Sequence, residues 1–125
     1  MRLLLDSHVI VWWGAFPARL RPETEAALRS PANEVFLSAA SVWELGLKVS
    51  RGKLTLPADY AARLLAAGFE ELPVTVAHAD RAMHLPPLHG DPFDRLLIAQ
   101  ALAEGMVLVT SDRAITGYDV PTLPA

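Results

Sequence analysis

Residues 91–112, DPFDRLLIAQALAEGMVLVTSD, decide the fold. Asp91 followed by Pro92 is typical of a helix start, because Asp is a favoured N-cap and Pro is favoured at the first helical position. The helix predicted over Asp94–Glu104 is apolar nearly all round and stops at the next glycine, which indicates heavy burial. The run Met106–Val109 is short and continuously apolar, as strands buried on both faces are. A buried helix followed by a buried strand is typical of a parallel sheet covered by helices.

The same alternation of short apolar runs and longer helical stretches extends along the whole chain. It predicts an α/β three-layer fold with a central, mostly parallel sheet of four or five short strands and helices on both faces. We expect one domain over residues 1–125, because the length suits one domain and no linker or repeat is present. The remaining predicted strands are Leu3–Leu5, Val35–Leu37, Phe69–Val74 and Val120–Leu123, and the remaining predicted helices are Ser7–Phe16, Pro22–Ser30, Ala39–Arg51, Ala58–Ala67 and Val76–Leu85.

Composition and charge exclude several classes of protein. The absence of cysteine excludes disulfides, thiolate zinc sites, iron–sulfur clusters and cysteine nucleophiles. The 11 Lys and Arg residues against 14 Asp and Glu leave a net charge of −3, so any binding of nucleic acid is expected at a local site and not over a general basic surface. Asp6 and His8 interrupt the apolar N-terminus too early for a signal peptide or membrane span. We therefore expect a soluble, cytoplasmic protein without membrane contact.

Four segments bring a carboxylate to the same edge of the predicted sheet. Taken singly, each acid has a structural alternative: helix capping, a loop position, the helix dipole or, for Glu44, an ion pair with Lys48 four residues later. Together, several carboxylates in one crevice repel one another unless a cation lies among them, and oxygen ligands suit Mg²⁺ or Mn²⁺. The acids are Asp6 after the first strand, Glu44 in the helix after the second, Asp94 at the start of the buried helix, and Asp112 after the last core strand.

Four stretches carry a family resemblance: LLLDSH (3–8), SVWE (41–44), HGDPFDRLLIAQA (89–101) and LVTSD (108–112). In order and spacing they resemble the successive motifs of PIN-domain proteins, and their spelling is most similar to the VapC toxins of bacterial toxin–antitoxin pairs. The resemblance implies a PIN-like fold and a Mg²⁺-dependent ribonuclease that acts on RNA. It also implies a homodimer, a cognate antitoxin of the VapB type, and contact with DNA only indirectly, through that antitoxin. The acids that it implies are Asp6, Glu44, Asp94 and Asp112.

Other polar residues near the acids are candidates for supporting the site. Ser7 and Thr110 are placed to hydrogen-bond the carboxylates and so to orient metal ligands, whereas Asp91 suits either that role or a helix cap. The structural alternative for Ser7 and Thr110 is also capping, and for the basic residues it is a solvent-facing charge. The candidates for contacts with RNA phosphates are Lys48 and Arg51, on one short segment with Lys53, together with Arg95 and Arg113, each directly after a proposed catalytic acid.

The histidines and tryptophans carry weaker signals. None of the four histidines has the spacing of a zinc-ligand pair. His89 lies in the loop before the acids, where approach to substrate is one interpretation, but we expect a loop histidine without a role. We expect Trp12, Trp13 and Trp43 to be core or interface groups. The apolar run Val9–Trp13 is expected to add apolar surface for a homodimer.

Three other functions compete with a metal-dependent ribonuclease. A receiver-type signalling domain has a similar acidic pocket but requires a lysine after its last core strand, whereas the only lysines are Lys48 and Lys53. A dehalogenase-like phosphatase requires two aspartates around one residue after the first strand, where this chain has Asp6-Ser7-His8. An inactive PIN-like interaction module is the remaining alternative, and the complete set of acids argues against it.

Overall fold

Five parallel strands form the central sheet of the computed structural model, which describes residues 1–125: β1 (Arg2–Leu5), β2 (Glu34–Ser38), β3 (Glu70–Leu72), β4 (Val107–Thr110) and β5 (Thr122–Pro124). Their order across the sheet is β3-β2-β1-β4-β5. In the central strand, Leu4 pairs with Phe36 on one side and with Leu108 on the other. Because all five strands are parallel, their carboxyl ends lie at one edge, which is where such sheets bind ligands.

Six α-helices pack around this sheet: α1 (Ser7–Ala15), α2 (Pro22–Arg29), α3 (Ala39–Ser50), α4 (Tyr60–Ala66), α5 (Val76–Met83) and α6 (Pro92–Glu104). Two short 3-10 helices cover Pro17–Arg19 and Arg113–Gly117. Side chains alternate across β1, so that Leu3 and Leu5 join one apolar cluster and Leu4 joins another on the opposite face. Two cores on either side of a parallel sheet confirm the predicted three-layer α/β fold.

Helix α6 begins and ends where its sequence indicates. The Asp91 carboxylate accepts the backbone N–H groups of Phe93 (2.9 Å) and Asp94 (3.2 Å), so Asp91 is the N-cap. The helix stops at Gly105, which takes the left-handed conformation (φ 65°) that other residues adopt only with strain. Leu97 and Ile98 are fully buried against the sheet, which holds the first turn of α6 at the carboxyl edge.

Several predicted boundaries move by one or two residues, among them β3, which covers Glu70–Leu72 and not Phe69–Val74, and α5, which ends at Met83 and not at Leu85. At the starts of β5 and α4 the backbone hydrogen bonds show the reason. β5 covers Thr122–Pro124 and not Val120–Leu123, since Val120 packs into the core and pairing with β4 begins at the Pro121 carbonyl, which accepts the Leu108 N–H (2.9 Å). α4 begins at Tyr60 and not at Ala58, because a turn closed by the Pro57 carbonyl and the Tyr60 N–H (3.2 Å) precedes it.

The aromatic and apolar residues of α1 mostly serve the core. Val9 and Ile10 are buried, whereas Val11, Trp12 and Trp13 are half-buried and pack against the same apolar cluster, so part of the run Val9–Trp13 remains at the surface. Trp43, in contrast, is 63% exposed. No helix combines the length and the apolar character needed to cross a bilayer.

Candidate active site

Asp6 lies between β1 and α1 at the carboxyl edge, and it is only 2% exposed. Its backbone occupies the N-cap position of α1, but its side chain makes no capping hydrogen bond. The carboxylate instead accepts the Thr110 hydroxyl (2.8 Å) and lies 3.3 Å from the Ser7 hydroxyl. Capping therefore does not explain this buried acid.

Glu44 reaches the same region from α3, the helix that follows β2. Its carboxylate is buried and accepts the hydroxyl of Ser7, which thus lies between Glu44 and Asp6. The other oxygen of Glu44 is 3.7 Å from the Lys48 ammonium, so the ion pair suggested by the sequence is present. That pair does not lie on a solvated face, because the carboxylate is turned inward onto Ser7.

Asp112 completes the edge beyond β4. Its backbone N–H donates to the Thr110 hydroxyl (3.0 Å), and one of its carboxylate oxygens caps the following 3-10 helix by accepting the Ala114 N–H (2.9 Å). The other oxygen lies 3.5 Å from Nε2 of His89. Asp112 thus serves as a cap and still presents one carboxylate oxygen to the crevice.

Asp94, in the first turn of α6, is buried and forms a 2.7 Å hydrogen bond with Nε2 of His89. The pKa of Asp94 is raised to about 6, chiefly by burial and in smaller part by the charges of Asp6 and Asp91, while the hydrogen bond from His89 opposes the rise. The hydrogen bond to Asp94 raises the pKa of His89, against the opposite effect of burial on the charged ring. A buried carboxyl group beside other acids is one whose charged form a bound cation would stabilise.

His89 lies within the acid cluster, which its place in the sequence did not predict. The loop residues Gly90 and Asp91 connect it to the first turn of α6, where its ring contacts two of the four acids. The spacing from His89 to Asp94, across a recognisable N-cap, was the available signal. With His89 included, an unbroken chain of contacts runs through Glu44, Ser7, Asp6, Thr110, Asp112, His89 and Asp94.

The donor set fits a divalent cation. Asp6, Glu44 and Asp94 are buried carboxylates in one cluster, and only Lys48 and His89 lie within ion-pair distance of its four acids. One ligand atom each from His89, Asp94 and Asp112 all lie within 4.8 Å of one another. Carboxylate oxygens are the ligands that Mg²⁺ and Mn²⁺ prefer, and buried carboxylates of like charge need such a cation.

The predicted basic residues separate into three groups. Lys48 and Lys53 line a pocket of about 270 Å³ beside Ser7, which Arg51 does not line. Arg113 lines a polar pocket beside Asp112. Arg95 is turned away from both pockets, because its guanidinium donates to four backbone carbonyls and to the Tyr118 hydroxyl. Arg95 thereby positions the loop that carries His89, and its terminal nitrogens are occupied by protein acceptors.

Comparisons with known proteins agree with this fold. The family model described as "PIN domain" matches residues 3–120. The chain is 36% identical over 122 residues to Ribonuclease VapC22 of Mycobacterium tuberculosis, covering 95% of this chain and 93% of that protein. Among solved structures, it is similar to VapBC2 from Rickettsia felis bound to a DNA fragment from their promoter (TM-score 0.76, 16% identity, 99% and 98% of the two chains). It is also similar to DNA-bound VapBC from Salmonella typhimurium (TM-score 0.68, 14% identity, 99% and 98%).

Proposed function

The chain belongs to the PIN-domain family, within which it is a relative of the VapC ribonucleases, and from this premise we propose that it is a Mg²⁺- or Mn²⁺-dependent endoribonuclease. The observation that carries the proposal is the connected cluster of buried carboxylates at the carboxyl edge. Its cytoplasmic role is that of the toxin in a toxin–antitoxin pair.

The four acids hold the cation, with Asp6 and Asp94 as the main ligands and Glu44 and Asp112 completing the site or orienting water. When bound, a divalent cation lowers the pKa of a water molecule and stabilises charge during displacement at phosphorus. The hydroxyl of Ser7 orients Glu44, and that of Thr110 orients Asp6, by donating to their carboxylates. Asp91 acts less directly, since it caps α6 and so sets the position of Asp94.

Single-stranded or looped RNA is the substrate class. Lys48, Lys53 and Arg19 surround the pocket of about 270 Å³ beside Ser7, where a backbone phosphate of the RNA is held next to the acids. Arg51 is exposed nearby and adds to the positive field of this segment. A local basic pocket agrees with a chain whose net charge is −3.

A VapB-type antitoxin is the proposed inhibitory partner, and any contact with operator DNA comes through it. An apolar groove of about 410 Å³ runs between α1 and α4 and is lined by Ile10, Trp13 and Leu64. Val11 lines both this groove and the pocket beside Ser7, so a segment in the groove can reach the acids. A Lys or Arg of that segment would offset the repulsion of the carboxylates, and inhibitor and metal would therefore compete.

We expect a homodimer, for which exposed apolar side chains on the α5–α6 side provide surface. Met83 is 72% exposed and Leu88 is 60% exposed. Light scattering at micromolar concentration should give twice the 13.6 kDa of one chain, and a monomer would contradict this expectation.

The test of the activity compares wild type with Asp6→Asn, purified in parallel, on single-stranded RNA. Wild type should cleave with Mg²⁺ or Mn²⁺ and stop on addition of EDTA, whereas Asp6→Asn should be inactive although folded. If both proteins cleave RNA equally and EDTA does not stop either, the activity comes from a contaminant and the proposed mechanism is wrong.

The test of the toxin role is expression in cells, alone and together with the product of the adjacent small reading frame. Expression alone should arrest growth, and the neighbour should restore growth and copurify. If expression of the protein alone does not slow growth and no stable complex with the neighbour forms, the toxin role is wrong even if the cleavage assay succeeds.

A further inference from the structure

A second pocket, polar and of about 300 Å³, lies beside Asp112 on the β5 side of the acids. Two arginines, Arg21 and Arg113, line it together with the hydroxyl-bearing residues Ser111, Thr116 and Thr122. Such a wall, with fixed positive charge and hydroxyl groups, has the composition of a site for a phosphate group.

The two guanidinium groups have no protein partner. No acidic group lies within ion-pair distance of Arg21 or Arg113, and neither side chain donates a hydrogen bond within the protein. Some other arginines are satisfied by the protein: Arg29 and Arg63 pair with acids on their own helices, and Arg95 donates to backbone carbonyls. Arg51 and Arg81 are also without such a partner, but they line neither basic pocket. In a chain of net negative charge, two unpaired arginines in one pocket point to an anionic ligand.

The pocket wall is held in place by hydrogen bonds between distant parts of the chain. The Ala125 N–H donates to the Thr110 carbonyl, and the Arg21 N–H donates to the Ala125 carbonyl, both at 3.0 Å. The buried Thr24 hydroxyl donates to the Pro124 carbonyl (2.6 Å). These bonds fix the start of α2, and with it Arg21, against β5, while the capping contact of Asp112 with Ala114 holds the start of the 3-10 helix that carries Arg113.

The acidic side chain that lines the pocket is Asp112. One of its oxygens accepts the Ala114 N–H, and the other lies toward His89. A ligand in this pocket is therefore adjacent to the acid cluster through Asp112 and Thr110 while it contacts the arginines.

The two basic pockets lie on different sides of the acids. The pocket with Lys48 and Lys53 lies between α1 and α3, which follow β1 and β2, whereas the pocket with Arg21 and Arg113 lies at β4 and β5. The geometry points to a phosphate subsite formed by Arg21 and Arg113 for an RNA phosphodiester that flanks the scissile one. This inference rests on the proposed function. The RNA backbone then crosses the acid cluster with one flanking phosphate in each basic pocket.

The experiment measures binding and cleavage of a short, fluorescently labelled single-stranded RNA at several salt concentrations. The variant is Arg21→Ala/Arg113→Ala, and the matched control is Arg81→Ala, which removes an exposed positive charge that lines neither basic pocket. Binding is measured in the inactive Asp6→Asn background so that the RNA stays intact. The double variant should bind about 10-fold or more weakly, and its log K–log[salt] slope should fall by about 0.7 for each lost contact. Arg21→Lys/Arg113→Lys should recover much of the slope, and Arg81→Ala should match the parent.

A second arm locates the phosphate. RNAs that carry one uncharged methylphosphonate linkage at successive positions should lose affinity for the parent at a linkage next to the cleavage site. The double variant should be insensitive at that linkage and remain sensitive at the others.

The outcomes separate this inference from the function on which it rests. If wild type cleaves RNA while the double variant retains the parental affinity, slope and methylphosphonate pattern, the subsite is wrong and the nuclease stands. If the double variant loses affinity only for a VapB-type antitoxin, the pocket is a protein contact and the subsite is likewise wrong. If wild type neither binds nor cleaves RNA, both proposals fall.

Discussion

Two clusters of polar side chains with buried members contact α6, and they are built from similar residue types. The first, called here the Gln100 cluster, consists of Ser38, His78, Gln100 and Glu104. The Ser38 hydroxyl donates to the side-chain oxygen of Gln100 (2.6 Å), and the side-chain NH₂ of Gln100 donates to the Pro73 backbone carbonyl (3.3 Å). His78 accepts the Thr75 N–H at Nδ1 (3.1 Å), so its Nε2 carries the proton and donates to Glu104 (2.8 Å).

The second, the acid cluster, consists of Asp6, Glu44, Asp94 and Asp112. It also contains hydroxyls and a histidine, but its acceptors outnumber its donors and its acids outnumber its cations. In the Gln100 cluster each buried donor meets an acceptor, and its one acid, Glu104, is partly exposed. A satisfied cluster stabilises the fold, whereas a cluster with excess negative charge needs a ligand to complete it. Four measurements test this difference between the two clusters.

The largest expected effect is that of Asp6→Asn on activity. Removal of a metal ligand forfeits several kcal/mol of transition-state stabilisation, so kcat/KM for RNA cleavage should fall by about 10³-fold or more. The melting temperature should not fall, because the amide keeps the shape and removes a buried charge. If Asp6→Asn loses activity only because the protein unfolds, then Asp6 has a structural role and not a role in binding metal.

Gln100→Ala should give the opposite result. It leaves the Ser38 hydroxyl and the His78 ring without their partner and opens a cavity, which should cost about 3 kcal/mol of unfolding free energy. Cleavage per folded molecule should stay within about threefold of wild type, because Gln100 contacts none of the four acids. Denaturant titration measures the cost, and exposed His84→Ala should change it little. A loss of activity larger than the loss of folded protein would remove the distinction between the clusters.

Metal should stabilise the protein through the acid cluster alone. Mg²⁺ or Mn²⁺ at about 100 times its Kd should raise the unfolding free energy of wild type by ~2.7 kcal/mol. Gln100→Ala should gain the same increment from its lower baseline, whereas Asp6→Asn should gain much less. Thermal unfolding with and without metal measures this increment, and an equal gain in all three proteins would mean that the ion binds elsewhere.

The smallest expected effect is the pH dependence of Asp94→Asn without metal. The pKa of Asp94, about 6, lies above its ordinary value of 3.8, so the unfolded chain releases this proton at lower pH than the folded chain does. As pH rises from 4 to 6 this group therefore destabilises wild type, and the loss persists above pH 6. Asp94→Asn should be more stable than wild type by about 1–2 kcal/mol at pH 7.5 and nearly equal to it at pH 4. A stability difference that does not vary with pH would contradict the excess of charge at this cluster.

Much of the fold and the convergence of the four acids could be predicted from the sequence, and their role in catalysis stays a prediction. The helix start at Asp91-Pro92 and the buried strand that ends at Thr110 are local patterns, and both are present. His89 was missed because its contacts with Asp94 and Asp112 depend on how a loop folds back, and no periodicity reports that. The sequence also does not show that Trp43 is exposed, because its exposure depends on which elements pack beside α3.

Arg95 and Arg113 have similar positions in the sequence but different surroundings in the structure. Each directly follows a site acid, and their neighbours in the chain predict the same role for both. Arg95 meets the carbonyls of Ala82 and Leu85 and the Tyr118 hydroxyl, whereas Arg113 faces a pocket bounded by Arg21 and β5. The alternation of strands and helices, and the position of the carboxylates at the carboxyl edge of the sheet, follow from the sequence alone, because periodicity, capping and strand burial are local patterns. Which charged side chains have partners within the protein, and which remain available to a ligand, follows from the tertiary structure. The partners of a charged side chain come from segments far apart in the chain, and packing brings them together.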